Sequence, residues 1–324
     1  MKIFALYASR AYGEKVVRAL RLPLAAHEER EFEDGEHKAR PLEGVRSKDV
    51  YVIQSLYGDQ DQSINDKLCR LLFFLRTLKD CGAARTTAVM PYLAYARKDR
   101  RTKARDPLTT RYVAELLETA GADRVVTMDV HNLAAYENAF RRPAEHLEAR
   151  QLFTEHFAKR CAGEPLCVVS PDVGGVKRAA AFSDALRARL RREVPVVFME
   201  KYRSGGVVSG EALVGRVNGM TAIILDDLIS TGGTIQRAAA ACVGAGARHV
   251  HGAATHGLFV PPAGDVLAGS PLERIVVTDT VPAFRLAGSP AAEKLTVIES
   301  APLFAEAIRR LHAGESLSEL LGRA

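Results

Sequence analysis

The chain has 324 residues, 47% of them hydrophobic and 26% charged, a composition that fits folded domains and excludes a disordered or fibrous chain. Five cysteines, an odd number with no CxxC pair, speak against a disulfide framework or a zinc site. The net charge of +6 favours an anionic partner; the basic residues are dispersed apart from Arg97 to Arg105, so a small phosphorylated ligand is expected and no nucleic acid.

In chain order, residues 1–7 read as a short strand. That run is too brief for a signal-peptide core and has no small-residue cleavage site. No apolar run approaches the roughly 20 residues of a membrane helix, so a cytoplasmic protein without membrane contact is expected. Asp49–Ser55 is a β-branched strand run, followed by a helical period over Ile64–Cys81. Thr86–Met90 reads as a strand, Leu108–Ala120 as a helix stopped by Gly121, and Arg124–Met128 as a strand.

The pattern then restarts. Helices are predicted over Ala149–Arg160, Val176–Arg191 and Thr234–Gly244, with strands at Leu166–Ser170, Val194–Phe198, Thr221–Leu225, His249–Thr255 and Arg274–Thr278. A last helix spans Leu303–His312. Such alternation predicts βαβ units around mainly parallel sheets. The fold class is therefore α/β, with two doubly wound domains: residues 1–146, residues 147–301, and a C-terminal helix and tail over 302–324, with the join near Pro143–Glu148.

In open parallel sheets ligands bind beyond the carboxyl ends of the strands, so the residues after each strand matter most. Ile223–Thr234 combines a buried strand, the carboxylates Asp226 and Asp227, and the turn Ser230-Thr231-Gly232-Gly233-Thr234 opening a helix. Glycines let backbone N–H groups approach an anion, the helix start adds partial positive charge, and the hydroxyls add donors. That chemistry suits a phosphate monoester, with the two carboxylates turned to sugar hydroxyls or a metal. A glycine turn alone is common; the combination is specific. Ser170-Pro171-Asp172-Val173-Gly174-Gly175 is a second strand–Asp–Gly-Gly–helix element. Phe32-Glu33-Asp34-Gly35-Glu36, taken alone, is a solvated acidic turn, and Arg97–Arg101 a basic turn at a strand end.

The Asp226–Thr234 segment resembles the phosphoribosyl-diphosphate signature shared by phosphoribosyltransferases and ribose-phosphate pyrophosphokinases. Four other segments resemble the pyrophosphokinases specifically: Phe32–Glu36, Tyr95–Arg101, Asp129–His131 and Ser170–Gly175. So does Glu200–Gly206, which is similar to their catalytic loop. These matches stand in family order from about Lys2 to His312.

The resemblance implies transfer of the diphosphate of Mg-ATP to O1 of ribose 5-phosphate. It implies that Phe32, Asp34, Glu36, Arg97, Lys98, Arg100 and His131 contact the nucleotide. Asp226 and Asp227 would hold the ribose hydroxyls, and Ser230, Thr231, Gly232, Gly233 and Thr234 the 5-phosphate. Asp172, Gly174 and Gly175 would form the diphosphate loop, His131 and Asp172 would contact Mg²⁺, and Lys201 and Arg203 would clamp the reacting phosphates. Proton removal from O1 is open between Asp227 and a water.

Departures are also visible. Ser230 stands where the family usually has aspartate, Lys98 where it has glutamine, and the turn before the last helix, Glu299-Ser300-Ala301-Pro302, differs from the family's serine-bearing regulatory turn. The resemblance further implies a homo-oligomer built from dimers, up to a hexamer. Three other functions share parts of the pattern: a phosphoribosyltransferase, which has no use for the Phe32 and Arg97 segments; a non-catalytic regulatory homologue; and a nucleic-acid-binding regulator on the same fold.

Overall fold

The computed structural model describes residues 1–204 and 207–321, without the side chains of 201–211. The chain divides into two compact units, Met1–Glu148 with Ser300–Ala324, and Ala149–Glu299.

In the first unit β1 (Lys2–Ala5) leads to α1 (Arg10–Leu20), then to a ribbon of β2 (His27–Glu31) and β3 (His37–Pro41). β4 (Asp49–Ile53), α2 (Ile64–Asp80), β5 (Arg85–Met90), α3 (Thr109–Thr119), β6 (Arg124–Met128), α4 (Leu133–Ala139) and β7 (Ala144–Leu147) complete its N-terminal part. β1, β4, β5, β6 and β7 are adjacent in that order, and every pair is parallel. A parallel sheet covered on both faces needs strands that are apolar on both faces. Val50, Tyr51, Val52 and Ile53 are fully buried, as that rule requires. On α2, Leu68, Leu71, Phe74, Leu75 and Leu78 recur at helical spacing and are buried. A capping box starts that helix: Ser63 accepts from the Asp66 N–H and Asp66 from the Ser63 N–H.

In the second unit α5 (Arg150–Arg160) precedes β8 (Leu166–Ser170) and α6 (Val176–Leu190). There follow β9 (Val196–Ser204), β10 (Val207–Val214), β11 (Thr221–Ile229), α7 (Gly233–Gly244), β12 (His249–Gly257), α8 (Ala263–Ala268), β13 (Arg274–Thr278) and β14 (Leu295–Ile298). The strand order is β10-β9-β8-β11-β12-β13-β14, and only β10 is antiparallel to its neighbour. From β8 the chain steps outward to β9 and β10, then returns to β11 on the other side. The order therefore reverses between β8 and β11, which is where an open parallel sheet has its ligand crevice.

The last helix, α9 (Ala301–Ala313), follows the second unit in sequence but belongs to the first. It packs on α1, with the Phe304 ring edge-on to Tyr12 at 5.9 Å and the Tyr12 and Ser300 hydroxyls 2.8 Å apart. His312 Nδ1 lies 2.7 Å from Asp49 at the start of β4.

Several elements depart from the expectations. The join expected near Pro143–Glu148 contains a strand: β7 pairs with β6, Val125 opposite Ala144 through Met128 opposite Leu147. β11 does not stop at Leu225, because β12 is long enough to carry the ladder on to Ile229 opposite Gly257. Its other ladder, to β8, ends at Ile224, which leaves one edge of β11 bare beside the turn of β8. β9 likewise runs on to Ser204, through part of the stretch expected as a loop, and returns as β10. Among the described residues no helix is long and apolar enough to cross a membrane.

Candidate active site

In the second unit, the bare edge of β11 carries the carboxylate pair. Asp227 is buried, at 4% exposure, and Asp226 folds back so that Oδ1 accepts its neighbour's N–H at 2.8 Å. Asp226 retains 21% side-chain exposure, yet burial pushes its carboxyl well above the usual range, and the adjacent Asp227 adds to the push. Among the described residues, one cation opposes this. Arg178 Nη1 lies 3.5 Å from Asp226 Oδ1 and 3.4 Å from Asp227 Oδ1.

The turn after the pair is shaped by Gly232. It has φ +82°, a left-handed conformation that favours glycine, and a Cβ there would lie 3.0 Å from Leu267 Cγ. It is the N-cap of α7, whose first turn has no acidic residue and no side-chain cap. The backbone N–H groups at that end are therefore not taken by the helix's own side chains. Thr231 and Thr234 are exposed, and Ser230 and Gly233 half-buried.

The turn after β8 is built in the same way. Asp172 Oδ1 accepts the Gly175 N–H at 2.9 Å, and the Ser170 hydroxyl donates to the Asp172 carbonyl at 2.7 Å. A Cβ on Gly175 would come within 2.7 Å of Ser170 Oγ, so a side chain there would have to displace the Ser170 hydroxyl from the Asp172 carbonyl. A Cβ on Gly174 would come 3.3 Å from Asp172 Oδ1. α6 also starts without an acidic residue in its first turn.

In the first unit, Phe32–Glu36 forms the exposed tip of the β2–β3 ribbon. The Phe32 N–H donates to the Glu36 carbonyl at 2.7 Å, the Glu36 N–H to Asp34 Oδ1 at 3.0 Å, and Gly35 takes φ +89°. Phe32 is 36% exposed, with the Arg30 guanidinium 5.2 Å from its ring centre. Thus an exposed aromatic ring stands at the tip of a two-stranded arm.

The Tyr95–Arg101 segment follows β5, and Asp129–His131 follows its neighbour β6. The two turns are tied together by Asn132 Nδ2, which donates to Asp99 Oδ2 at 2.6 Å. Arg97, Arg100 and His131 are exposed there. Lys98 is not: its ammonium lies 2.5 Å from Asp106 Oδ2 and 3.1 Å from Thr102 Oγ1. Asp106 also accepts the N–H groups of Thr102 and Lys103, at 3.0 and 2.9 Å. The hydrogen bonds from Lys98 and then Thr102 hold its carboxyl far below the usual range.

The sequence-predicted residues thus gather into two groups. Asp172, Gly174, Gly175 and Asp226–Thr234 lie in the second unit; Phe32, Asp34, Glu36, Arg97, Lys98, Arg100 and His131 lie in the first. The side chains of Lys201 and Arg203 lie outside the described residues. Among the described residues no three His, Cys, Asp or Glu form a ready-made metal cage. Mg²⁺ is commonly held by one or two carboxylates together with substrate phosphates and waters. Asp172 has a carboxylate oxygen, Oδ2, not used by the turn's Oδ1 contact to Gly175, so its donor chemistry fits. Arg178 was missed by sequence reading. The only signal was a cation in the first turn of a helix, against the helix dipole.

Residues 1–121 match the N-terminal domain of ribose phosphate pyrophosphokinase, 135–261 the phosphoribosyl transferase domain, and 207–322 the phosphoribosyl synthetase-associated domain. The ribose-phosphate pyrophosphokinase of Caldanaerobacter subterraneus subsp. tengcongensis is 39% identical over 321 residues, 99% of this chain and 97% of that one. That of Rhodopirellula baltica is also 39% identical, over 99% of this chain and 98% of its own. The crystal structure of phosphoribosylpyrophosphate synthetase from Mycobacterium smegmatis is similar with a TM-score of 0.87 and 36% identity, covering 97% of this chain and 99% of that one. With identity at this level over the whole length, the chain belongs to the ribose-phosphate pyrophosphokinase family.

Proposed function

We propose that the chain is a ribose-phosphate diphosphokinase, which makes 5-phosphoribosyl 1-diphosphate and AMP from ribose 5-phosphate and ATP. The observation that carries this is the pair of glycine turns at the ends of the adjacent strands β8 and β11, with a carboxylate pair on the strand edge beside them. One turn suits a phosphate monoester and the other a diphosphate. A phosphoribosyltransferase would share them but leaves the Phe32 arm and the Arg97 turn without a role.

The O1 hydroxyl of the sugar attacks the β-phosphorus of ATP. The bond from that phosphorus to the oxygen shared with the α-phosphorus breaks, AMP leaves with that oxygen, and the O1 proton passes to Asp227 or a water. Catalysis rests on alignment and on charge stabilisation at phosphorus. Asp226 and Asp227 receive the 2- and 3-hydroxyls, while the turn from Ser230 to Thr234 receives the 5-phosphate. Arg97, with Lys201 and Arg203, neutralises the triphosphate; Phe32 stacks on the base, with Asp34, Glu36, Arg100 and His131 beside it. Asp172 and His131 are the residues that would hold Mg²⁺, which would supply neutralisation of the phosphate oxygens. The N-terminal unit is thereby the nucleotide-contacting domain and the second unit the sugar-phosphate domain. A cytoplasmic homo-oligomer, in which the Phe32 arm reaches a neighbouring copy's nucleotide, completes the reading.

The test is a discontinuous assay with ribose 5-phosphate, Mg²⁺ and ATP, resolving nucleotides by chromatography. Equal amounts of AMP and phosphoribosyl diphosphate are expected; ADP without AMP would overturn the mechanism. Arg203→Ala should lower kcat by ~10²-fold or more, as for other lost transition-state donors; an unchanged kcat would remove Arg203 from the reaction.

A further inference from the structure

Arg178 stands in the first turn of α6, where a cation is disfavoured by the helix dipole. What holds it there is on the neighbouring strand: a single nitrogen, Nη1, lies 3.5 Å from Asp226 Oδ1 and 3.4 Å from Asp227 Oδ1. Those distances are at the long end for hydrogen bonds, so the contact is mainly one of charge. The same nitrogen comes within 3.9 Å of where a Cβ on Gly175 would be, which puts it beside the β8 turn as well. The side chain is 26% exposed, and Asp227 only 5%. Arg178 therefore lies beside the β8 turn while its guanidinium reaches the carboxylate pair on β11.

Two adjacent carboxylates in a partly dry site oppose each other's ionisation. The charged and titratable neighbours decide the outcome. From α6 comes Arg178. The β8 turn contributes Asp172, an anion that already accepts the Gly175 N–H. On β12, His256 is opposite Leu228 in register and turns Nδ1 to the Thr280 hydroxyl, 2.8 Å away. Arg237 of α7 sits by Gly233, 3.4 Å from where its Cβ would be. Of these, Arg178 reaches both members of the pair through one nitrogen.

We propose that Arg178 is a positioning residue that keeps Asp226 and Asp227 ionised and aligned as acceptors for the vicinal diol of ribose 5-phosphate. The inference rests on the diphosphokinase reading above, for which the diol is the acceptor's own. Ionised carboxylates accept from two hydroxyls at once, whereas a retained proton costs one acceptor position. Neutralising Arg178 should therefore weaken sugar-phosphate binding most at low pH. The loss should narrow as rising pH removes the proton by itself.

The experiment is calorimetric titration of the full-length protein with ribose 5-phosphate alone, between pH 5.5 and 8.5, for the wild type, Arg178→Met and Arg178→Lys. Arg178→Met should bind more weakly by roughly tenfold for each unit by which the pair's ionisation moves up. Arg178→Lys, which restores a cation, should recover most of the binding. A loss equal at every pH, or no loss, overturns the proposal. Should Arg178→Met fail to fold, judged by its thermal transition, Arg178→Gln takes its place as the neutral variant: a loss equal at every pH, or none, rejects the role, and a loss concentrated in the acid limb supports it. In the Asp226→Asn background, where the pair holds one charge, Arg178→Met should add no further pH dependence. Wild type that neither binds ribose 5-phosphate nor forms AMP would defeat the functional reading, whereas intact wild type with unshifted variants would defeat only the role of Arg178.

Discussion

Asp226 occupies surroundings that oppose the charge its proposed role requires. Burial, then Asp227, raises its carboxyl in the folded chain. A carboxyl raised on folding favours the native state below its unfolded pKa and loses that contribution as pH climbs through the folded value. Asp226→Asn should therefore raise the melting temperature more at pH 8 than at pH 5, while weakening ribose 5-phosphate binding at both. A melting temperature that rises equally at the two pH values would mean that the charge is not the source. Gly232 shows the same tension in the backbone. Gly232→Ala should cost ~1–2 kcal/mol from its left-handed φ, more if Leu267 cannot yield, and should lower affinity for the sugar phosphate. At this scale the motif residues were legible because glycine, carboxylate and hydroxyl at fixed spacing have few other uses. Arg178 was not legible, since nothing in the sequence says which strand its helix faces.

The loop from Lys98 to Asp106 illustrates what an element can hide. Read as sequence it is a basic run; folded, Asp106 gathers the Lys98 ammonium, the Thr102 hydroxyl and two N–H groups, and so closes the loop on itself. Asp106→Ala should speed amide hydrogen exchange at Thr102 and Lys103 without shifting exchange in α2; unchanged rates would show that the loop holds without its anion. The parallel strands were legible as elements because burial on both faces demands unbroken apolar runs, as at Val50–Ile53. The β2–β3 ribbon was not. His27–Glu31 and His37–Pro41 are dominated by charge, and their pairing depends on cross-strand contacts such as Arg40 with Glu28. β7 was hidden for a related reason: Ala144–Leu147 is a short edge strand, with only Leu147 buried. The strand β11 was cut short in the reading because two aspartates interrupt its apolar run.

On the scale of the whole molecule, two sets of alternating strands and helices were visible in the sequence, but the destination of α9 was not. An amphipathic helix at the end of a chain fits any matching groove, and only the structure shows Ala301, Phe304, Ala305, Ala307, Ile308 and Leu311 buried within the first unit. Phe304→Ala should destabilise that unit by ~3–5 kcal/mol, the range for a deleted buried phenylalanine. Hydrogen exchange resolved by segment should show faster opening in residues 1–148 and no change in the core around Ile224 and Val277. Equal acceleration in both would mean that the two cores unfold as one.

The unit divided by its own neighbour also sets a timetable. A ribosome releases residues 1–148 well before it makes the helix that covers α1, and all of residues 149–299 must be translated in between. At ~5–20 residues per second that interval is about 8–30 s. The second unit, continuous in sequence, is complete before the first. A nascent chain whose residues up to Glu299 have left the ribosome, while α9 has not, would thus carry a finished C-terminal unit and an N-terminal one still open along α1, where a chaperone would find it.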